Sequence, residues 1–369
     1  MPLTTQRTLT DRMYMVAQGG GIAALDLYDD GSAEPLPGSP YPCGAGTIGF
    51  QASPDGRFLY TPAGLGLGQK VSRHQTFKPE IGTFRVEDDG TLTQVGEPLK
   101  LGKFWVPMTT DMSADGKNLY LGVGRAVAAL FLGGIMHFRI QDDGTPTPAG
   151  KPLKLGRFFN GIVQPKISLD GTKLYAVAAL GNTIHTLDIH PDGSLSRPVD
   201  SIRSSGTFPI NPVYSPNKKF LYIPNERSKS ISAYAIGEDG LLSESLSSPY
   251  AAGSMVHNPT FSKDGRFAWV ANVLDHTIGA YSVRETGELI PLPGSPYPCP
   301  IGPMDFAITS DGKWLHVTSS PLNGRRCPVQ VTSFAIQPDG TLVRSEHSPV
   351  QTGLKFVDGP SVYTFPVSP

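Results

Sequence analysis

Cysteine is scarce in this sequence, and the scarcity narrows the class of protein. The 369 residues include three cysteines, Cys43, Cys299 and Cys327, and none lies in a CxxC or Cys/His metal-ligand spacing. A sparse, odd-numbered set of thiols is more typical of a reducing compartment than of a secreted domain stabilised by disulfides. The N-terminal stretch also lacks the apolar core of a signal peptide, so we expect a cytoplasmic protein.

Long hydrophobic runs and an excess of charge are absent too. The longest apolar run, AVAALFLGGIM at 126–136, is broken by glycine and is shorter than a membrane-spanning helix. Lys and Arg number 31 against 32 Asp and Glu, giving a formal net charge of −1. We therefore expect neither a membrane nor a nucleic-acid partner. A monomer that acts on a small molecule is the expected state.

Motifs of the common hydrolase and nucleotide-binding mechanisms are also missing. The chain has no GxSxG, HExxH or Walker sequence, and GLGLG at 64–68 is not followed by a predicted helix. We interpret that segment as a flexible loop. Neither a metal nor an organic cofactor is predicted.

Glycine (42 residues) and proline (35 residues) are abundant, as in chains of many short strands and turns. A Ser/Thr-x-Asp-Gly type turn followed by an apolar strand recurs six times, and an acidic-Gly turn recurs seven times. The first motif begins at Ser53, Ser113, Ser168, Ser215, Ser262 and Thr309. The glycines of the second are Gly31, Gly90, Gly144, Gly193, Gly240, Gly287 and Gly340.

Each repeat therefore contains two hairpins, since Asp-Gly between alternating apolar segments is a strong hairpin signal. In the repeat that starts at Asn258, strands a, b, c and d are NPTFS, RFAWVAN, TIGAYSV and ELIPL. Four antiparallel strands in roughly 50 residues predict one blade of a β-propeller. The N-terminus lacks a strand a, and GPSVYTF at 359–365 supplies one. We predict an all-β, seven-bladed propeller, a single domain over residues 1–369, whose C-terminal strand a joins N-terminal strands b–d.

The segment PLPGSPYPC occurs twice, at 35–43 and at 291–299. Both copies follow an acidic-Gly turn, so each is predicted to be an outer strand d that runs into the connection to the next blade. Prolines suit such an edge strand, because no ladder hydrogen bond is lost there. We interpret the repeat as blade geometry and expect no disulfide between Cys43 and Cys299, which lie two blades apart.

The loops of variable length are predicted to share one face. The a–b and c–d turns lie on one face of a blade, and the b–c loops and d–a connections on the other. Long b–c connections are predicted at 63–80, 122–134 and 319–330. Variable loops on a rigid scaffold commonly carry function, so we expect a ligand site at the mouth of the central channel on this face.

Charged and aromatic side chains are predicted to converge on this mouth. Lys103 and Arg157 hold matching positions in two d–a connections, beside Trp105 and Phe159. Cations against an aromatic wall suit a small organic anion or a polarised carbonyl. The other binding candidates are Arg125, Asn160, Arg227, Asn258 and Asp305, and the catalytic candidates are Glu226 and His257. The alternative is that the charges are solvated rim residues and that His257 only bonds to a loop backbone.

The repeats SPDGRFLY, SKDGRFAWVANVLDHTIGAYSV and QPDGTL resemble the lactonase family of seven-bladed propellers. That family includes 6-phosphogluconolactonases and carboxy-muconate lactonising enzymes. The resemblance implies that Glu226, in the sequence Asn-Glu-Arg, is the general acid or base. At two positions where the family has arginine, this chain has Ile210 and Val273. Lys103, Arg125 and Arg157 are then the candidates to replace those arginines.

Three functions stay open at this point. The first is a metal-independent enzyme of lactonase or cycloisomerase type, which opens or forms a ring on a small carbonyl- or carboxylate-bearing substrate. The second is a pathway-specific cyclase with an apolar substrate, which the absent arginines and the apolar AVAALFLGG segment favour. The third is a non-catalytic propeller that binds a peptide or protein on a broad face with outward-pointing aromatics.

Overall fold

The computed structural model is a ring of seven antiparallel sheets, which confirms the predicted all-β, seven-bladed propeller. The structure describes residues 7–64, 78–102, 105–127, 130–155, 161, 163–245, 247–321, 328–355 and 362–367, with only the backbone for 125–127 and 130–132. Across these ranges no helix is present that could cross a membrane.

The blades are numbered from the N-terminus, and the strands are lettered a to d from the channel to the rim. In blades 1 to 7, strands a are Val362–Pro366, Gln51–Ala52, Trp105–Met112, Val163–Ile167, Val213–Tyr214, Val256–Phe261 and Pro303–Ile308. Strands b are Leu9–Val16, Phe58–Ala63, Asn118–Val127, Lys173–Ala178, Phe220–Asn225, Phe267–Asn272 and Trp314–Ser319. Strands c are Ile22–Tyr28, Glu80–Val86, Leu130–Ile140, Thr183–Ile189, Ser230–Ile236, Thr277–Val283 and Pro328–Ile336.

Strand d is interrupted in most blades. It is continuous in blade 4 as Leu195–Arg203 and short in blade 1 as Ala33–Pro35. In blades 2, 3, 5, 6 and 7 its two pieces are Leu92–Gln94 and Leu99–Lys100, Pro146–Pro148 and Leu153–Leu155, Leu242–Glu244 and Tyr250–Ala251, Leu289–Pro291 and Tyr297–Pro298, and Leu342–Arg344 and Val350–Lys355. Both pieces pair with the same strand c, so the blade keeps four strands.

The ring closes as predicted. Val362–Pro366 pairs antiparallel with Leu9–Val16, with Met13 opposite Thr364. The Asp305 carboxylate of blade 7 accepts a hydrogen bond from the backbone N–H of Val362 at 3.1 Å. The first and last strands therefore share blade 1, and Leu9–Val16 is paired along both of its edges.

The Ser-x-Asp-Gly motif folds locally by its own hydrogen bonds. The Ser53 hydroxyl donates to Asp55 at 2.6 Å and accepts from the Phe58 N–H at 2.9 Å. Gly56 takes a φ of 73°, which glycine adopts without steric cost. In blade 5 the same position is Lys218, whose φ is 64°.

The boundaries between blades, which we call seams, are where the two sequence motifs meet, except at the seam between blades 1 and 2, where Tyr14 lies outside any copy of the first motif. The Tyr222 hydroxyl, at the end of the first motif in blade 5, donates to the Gly287 carbonyl of blade 6 at 2.7 Å. The ring of Phe220 packs against the same glycine. Equivalent side-chain hydrogen bonds join Tyr14 to Gly90, Tyr120 to Gly193, Tyr175 to Gly240 and Trp269 to Gly340. Buried apolar side chains fill the space between neighbouring sheets, as Trp269, Leu315 and Phe334 do between blades 6 and 7.

The repeated PLPGSPYPC segment shapes the gap in strand d. Its two Ser-Pro bonds, Ser39–Pro40 and Ser295–Pro296, are both cis. The serine hydroxyls accept the strand c N–H groups of Ala24 at 3.0 Å and Ala280 at 2.9 Å. These contacts support the interpretation as blade geometry, and Cys43 and Cys299 are free thiols, as expected.

The prediction of one b–c loop is wrong. The segment 122–134 was expected to be a long b–c connection, but strands b and c of blade 3 continue through it, with Val123 opposite Gly134 and Val127 opposite Leu130. The reason is the partner strand, because the glycines and alanines of this segment are weak strand formers and the pairing of strand b with strand c keeps the chain extended. Arg125 consequently lies in a strand, opposite Leu132 and Trp105, rather than in a loop.

Candidate functional site

Glu226 lies at the end of strand b in blade 5, on the face opposite the Asp-Gly turns. Its backbone N–H donates to the Phe208 carbonyl at 3.0 Å. The preceding Asn225 is fully buried, and its amide donates to Ser232 at 2.8 Å and accepts from Ser204 at 3.0 Å. The backbone that carries Glu226 is therefore fixed from both sides, while the carboxylate keeps partial exposure.

His257 of blade 6 faces this carboxylate across the blade boundary. Its Nε2 lies 3.7 Å from Glu226 Oε2, and the two side chains are 3% and 22% exposed. Neither ring nitrogen has a hydrogen-bond partner among the described residues. A buried imidazole without bonds to the protein has its full donor and acceptor capacity available beside a carboxylate. We call Glu226 and His257 the dyad.

Blades 5 and 6, which carry the dyad, have buried apolar residues at two further positions. Ile210, 4% exposed, and Val273, 1% exposed, take the positions where the family resemblance would place arginines. Val273 belongs to a core cluster that includes Met304 and packs against Met255. The nearby cation is Arg227, which is exposed and whose guanidinium lies 4.7 Å from the centre of the Phe208 ring.

The central channel contains a cavity of about 290 Å³ that is distinct from the dyad. It is lined at one level by residues that hold matching positions within or just ahead of strand a in all seven blades, Gly49, Thr109, Gln164, Asn211, Asn258, Asp305 and Val362. The cavity extends from this level toward the Asp-Gly turns, where Lys166 and Asp111 form an ion pair at 3.6 Å. His257, one residue ahead of Asn258, lies on the other side of the level.

The predicted site residues separate into three groups. Glu226, His257, Asn258 and Arg227 lie in neighbouring parts of blades 5 and 6. Asp305 lies in strand a of blade 7, as expected, with both carboxylate oxygens bonded to backbone N–H groups of Phe306 and Val362. Trp105 packs against a core cluster around Tyr60 and Leu119.

Other predicted residues cannot be assigned to the site. Lys103, Arg157, Phe159 and Asn160 lie outside the described residues, and for Arg125 only the backbone is described. Their roles in binding stay predictions, as does the predicted arrangement of the aromatics at the mouth.

Two residues that line the channel cavity were not among the candidates. Gln164 and Asn211 each lie 47 residues ahead of the next member of a series that continues to Asn258. The signal was present in the sequence, since all three precede a Ser-x-Asp-Gly type turn by four residues. Within the described ranges, no three His, Cys, Asp or Glu side chains are grouped as metal ligands.

Fold and site together define a seven-bladed propeller with a carboxylate–imidazole pair beside its central channel. Residues 160–258, which include both members of that pair, match the family model described as "Lactonase, 7-bladed beta-propeller". The resemblance to lactonase-family propellers is thereby confirmed. None of the curated proteins matches this chain.

Solved structures of similar fold cover nearly the whole chain. A proposed 6-phosphogluconolactonase from Bacteroides fragilis is 20% identical, with a TM-score of 0.78 over 99% of this chain and 100% of its own. A second from Bacteroides uniformis is 19% identical, with a TM-score of 0.75 over 97% and 100%. The periplasmic gluconolactonase of Pseudomonas aeruginosa is 17% identical, with a TM-score of 0.76 over 98% and 99%. At these identities the similarity establishes the fold alone.

Proposed function

We propose that this protein is a lactonase-type enzyme that opens or forms a ring on a small carbonyl-bearing substrate, with the dyad transferring the proton. The observation that carries the proposal is the pairing of Glu226 with His257 at 3.7 Å, with the imidazole buried and without a hydrogen bond to any residue in the described part of the chain. Proton-transfer groups of this kind contribute about 10²–10⁴-fold to a rate.

The chemistry balances with these two groups and water. In hydrolysis, the Glu226 carboxylate accepts a proton from a water molecule whose oxygen attacks the lactone carbonyl carbon. The ring C–O bond then breaks, and the leaving oxygen takes a proton from the dyad. Ring formation uses the same groups in the reverse order.

Two apolar residues of blades 5 and 6 influence which class of substrate we expect. Ile210 and Val273 bring no charge to the dyad, and both are buried. An uncharged lactone is therefore favoured over a phosphorylated one, since neither position supplies the cation that a phosphate group would need. The same observation supports a second candidate, a cyclase that folds an apolar substrate into a ring.

A lactone panel tests the proposal. Purified protein is incubated with uncharged γ- and δ-lactones and with a phosphorylated sugar lactone, and acid release is followed with a pH indicator. We expect turnover of at least one uncharged lactone and a loss of that turnover in His257→Gln, which keeps a similar volume. Hydrolysis that is unchanged in His257→Gln, or confined to the phosphorylated lactone, would contradict this assignment. Ring formation without hydrolysis, measured as conversion of an open-chain unsaturated acid or alkene into a cyclic isomer of the same mass, would favour the cyclase.

A further inference from the structure

Three amides connect the inner strands of blades 4 to 7. Gln164, Asn211 and Asn258 hold the same strand a position in successive blades, 47 residues apart. The backbone N–H of Asn211 donates to Gln164 Oε1, and its Nδ2 donates to Asn258 Oδ1 at 2.6 Å. Asn258 Nδ2 then donates to the Met304 carbonyl at 3.0 Å. We call this series of hydrogen bonds the amide relay.

The relay ends at an irregularity in the strand that carries His257. In blade 6, His257 pairs with Ala271 and Thr260 with Trp269, so Asn258 and Pro259 oppose a single residue of strand b. This is a β-bulge, which redirects the side chains beside it. Asn258 has a φ of 42°, in the left-handed region that asparagine tolerates better than most residues. The bulge residue is 4% exposed and is bonded by its side chain to both neighbouring blades.

Among the described residues, His257 forms no hydrogen bond that could fix its orientation. Its two ring nitrogens lack hydrogen-bond partners among the described residues, and the carboxylate of Glu226 is 3.7 Å away. The direction of the imidazole therefore depends on the backbone at 257–258. That backbone is anchored through the Asn258 amide.

We propose that Asn258, through the amide relay, is a positioning residue that orients His257 toward Glu226. This assignment rests on the proposed function of the dyad. It replaces the earlier expectation that Asn258 binds substrate, because both ends of its amide are already bonded to protein and little of the side chain is exposed.

Blade 5 has the same backbone arrangement as blade 6, but an apolar residue stands at the position of His257. Asn211 has a φ of 43°, and Ile210 ahead of it bonds by its N–H to the Pro224 carbonyl at 2.9 Å. Ile210 thus occupies in blade 5 the position that His257 occupies in blade 6. The relay is a shared scaffold, and only in blade 6 does it carry an ionisable group.

The test measures the coupling between the two members of the dyad without relying on activity. The imidazole ¹⁵N signals of His257, identified with His257→Gln, are recorded in ¹⁵N-histidine-labelled protein with and without Glu226→Gln. The same pair is recorded in an Asn258→Gly background, since glycine keeps the left-handed φ available and removes only the amide. Asn217→Gly serves as the control, because its amide oxygen also holds two hydrogen bonds, but in the Asp-Gly-type turn on the opposite face.

We expect Glu226→Gln to shift the His257 signals in the wild-type and Asn217→Gly backgrounds, and to shift them by less than half as much in Asn258→Gly. An undiminished shift in Asn258→Gly would overturn the positioning role while leaving the dyad intact. No shift in the wild-type background would overturn the dyad and, with it, the proposal. If Asn258→Gly does not fold, Asn211→Gly removes the 2.6 Å bond while retaining the Asn258 side chain, and the same reduction in coupling is expected, to a smaller degree.

Discussion

The seams and the channel mouth differ in how far their residues repeat from blade to blade. At the seams, an aromatic side chain of one blade meets an acidic-Gly turn of the next, and five boundaries use the same type of hydrogen bond. At the mouth, corresponding positions differ from blade to blade, so that Ile210 in blade 5 becomes His257 in blade 6. Repetition therefore marks the residues that hold the ring together, and departure from it marks the candidates for chemistry.

The largest expected effect is a loss of catalytic activity on substitution at the channel mouth. Glu226→Gln should lower kcat for any lactone turned over by at least about 100-fold, since it removes the carboxylate that we propose moves the proton. The matched control is Glu285→Gln, in the exposed c–d turn of blade 6. Steady-state kinetics on both variants check this, with thermal melts to confirm folding. Wild-type turnover in Glu226→Gln would remove Glu226 from the mechanism.

A second prediction breaks a seam. Gly287 has a φ of +82°, and a Cβ there would lie 2.8 Å from the Phe220 ring. Gly287→Ala should therefore cost about 3 kcal/mol of unfolding free energy, from backbone strain and overpacking together. Gly312→Ala isolates the strain, because its φ is +74° with no atom within 4 Å of the added Cβ. Urea unfolding should give about 1 kcal/mol for that control, and equal costs for the two would mean that the seam contact is unimportant.

A third prediction uses the boundary where the pattern changes. His316 takes the place of the seam aromatic in blade 7, and complete burial lowers its pKa to about 4. Because the unfolded chain binds the proton near pH 6.5 and the folded chain does not, stability falls as the pH drops through the window between these values. The loss from pH 6.5 to 5 should be about 1.5 kcal/mol.

Urea unfolding at both pH values, for the wild type and His316→Gln, measures this contribution. The Ser333 hydroxyl lies 2.9 Å from His316 Nδ1, and glutamine can still bond to it. The variant should lose less stability on acidification. An identical pH dependence in the two proteins would show that His316 is not the group responsible.

The smallest expected effect compares two tyrosines of the same motif. Tyr222→Phe removes the 2.7 Å bond to Gly287 and should cost about 1 kcal/mol. Tyr60→Phe should be neutral or slightly stabilising, because the buried Tyr60 hydroxyl has no partner among the described residues. Unfolding curves of the two variants decide the point, and a larger loss for Tyr60→Phe would contradict the seam assignment.

The fold could be predicted from the sequence because the same turn motifs recur in successive blades. Each Ser-x-Asp-Gly turn closes on its own hydroxyl and carboxylate, so its structure is local and readable. The hairpin at 122–134 was misread as a loop, since glycines within it masked strand pairing that only the partner strand reveals. The two members of the dyad come from different blades. Each was predicted as a catalytic candidate, but the sequence did not predict that they lie close together. The amide relay could not be predicted from the sequence, because it consists of hydrogen bonds between blades and the turn motif does not specify them.

The shared blade has a consequence for how the chain matures. Strand b of blade 1 is made before the strands of the other six blades, and its pairing strand, Val362–Pro366, is made after them. While the blades in between are being made, the first sheet therefore presents an unpaired inner edge, the type of surface at which chains associate wrongly. The ring closes only once Val362–Pro366 has emerged from the ribosome, so a product terminated before this strand is incomplete and prone to aggregate.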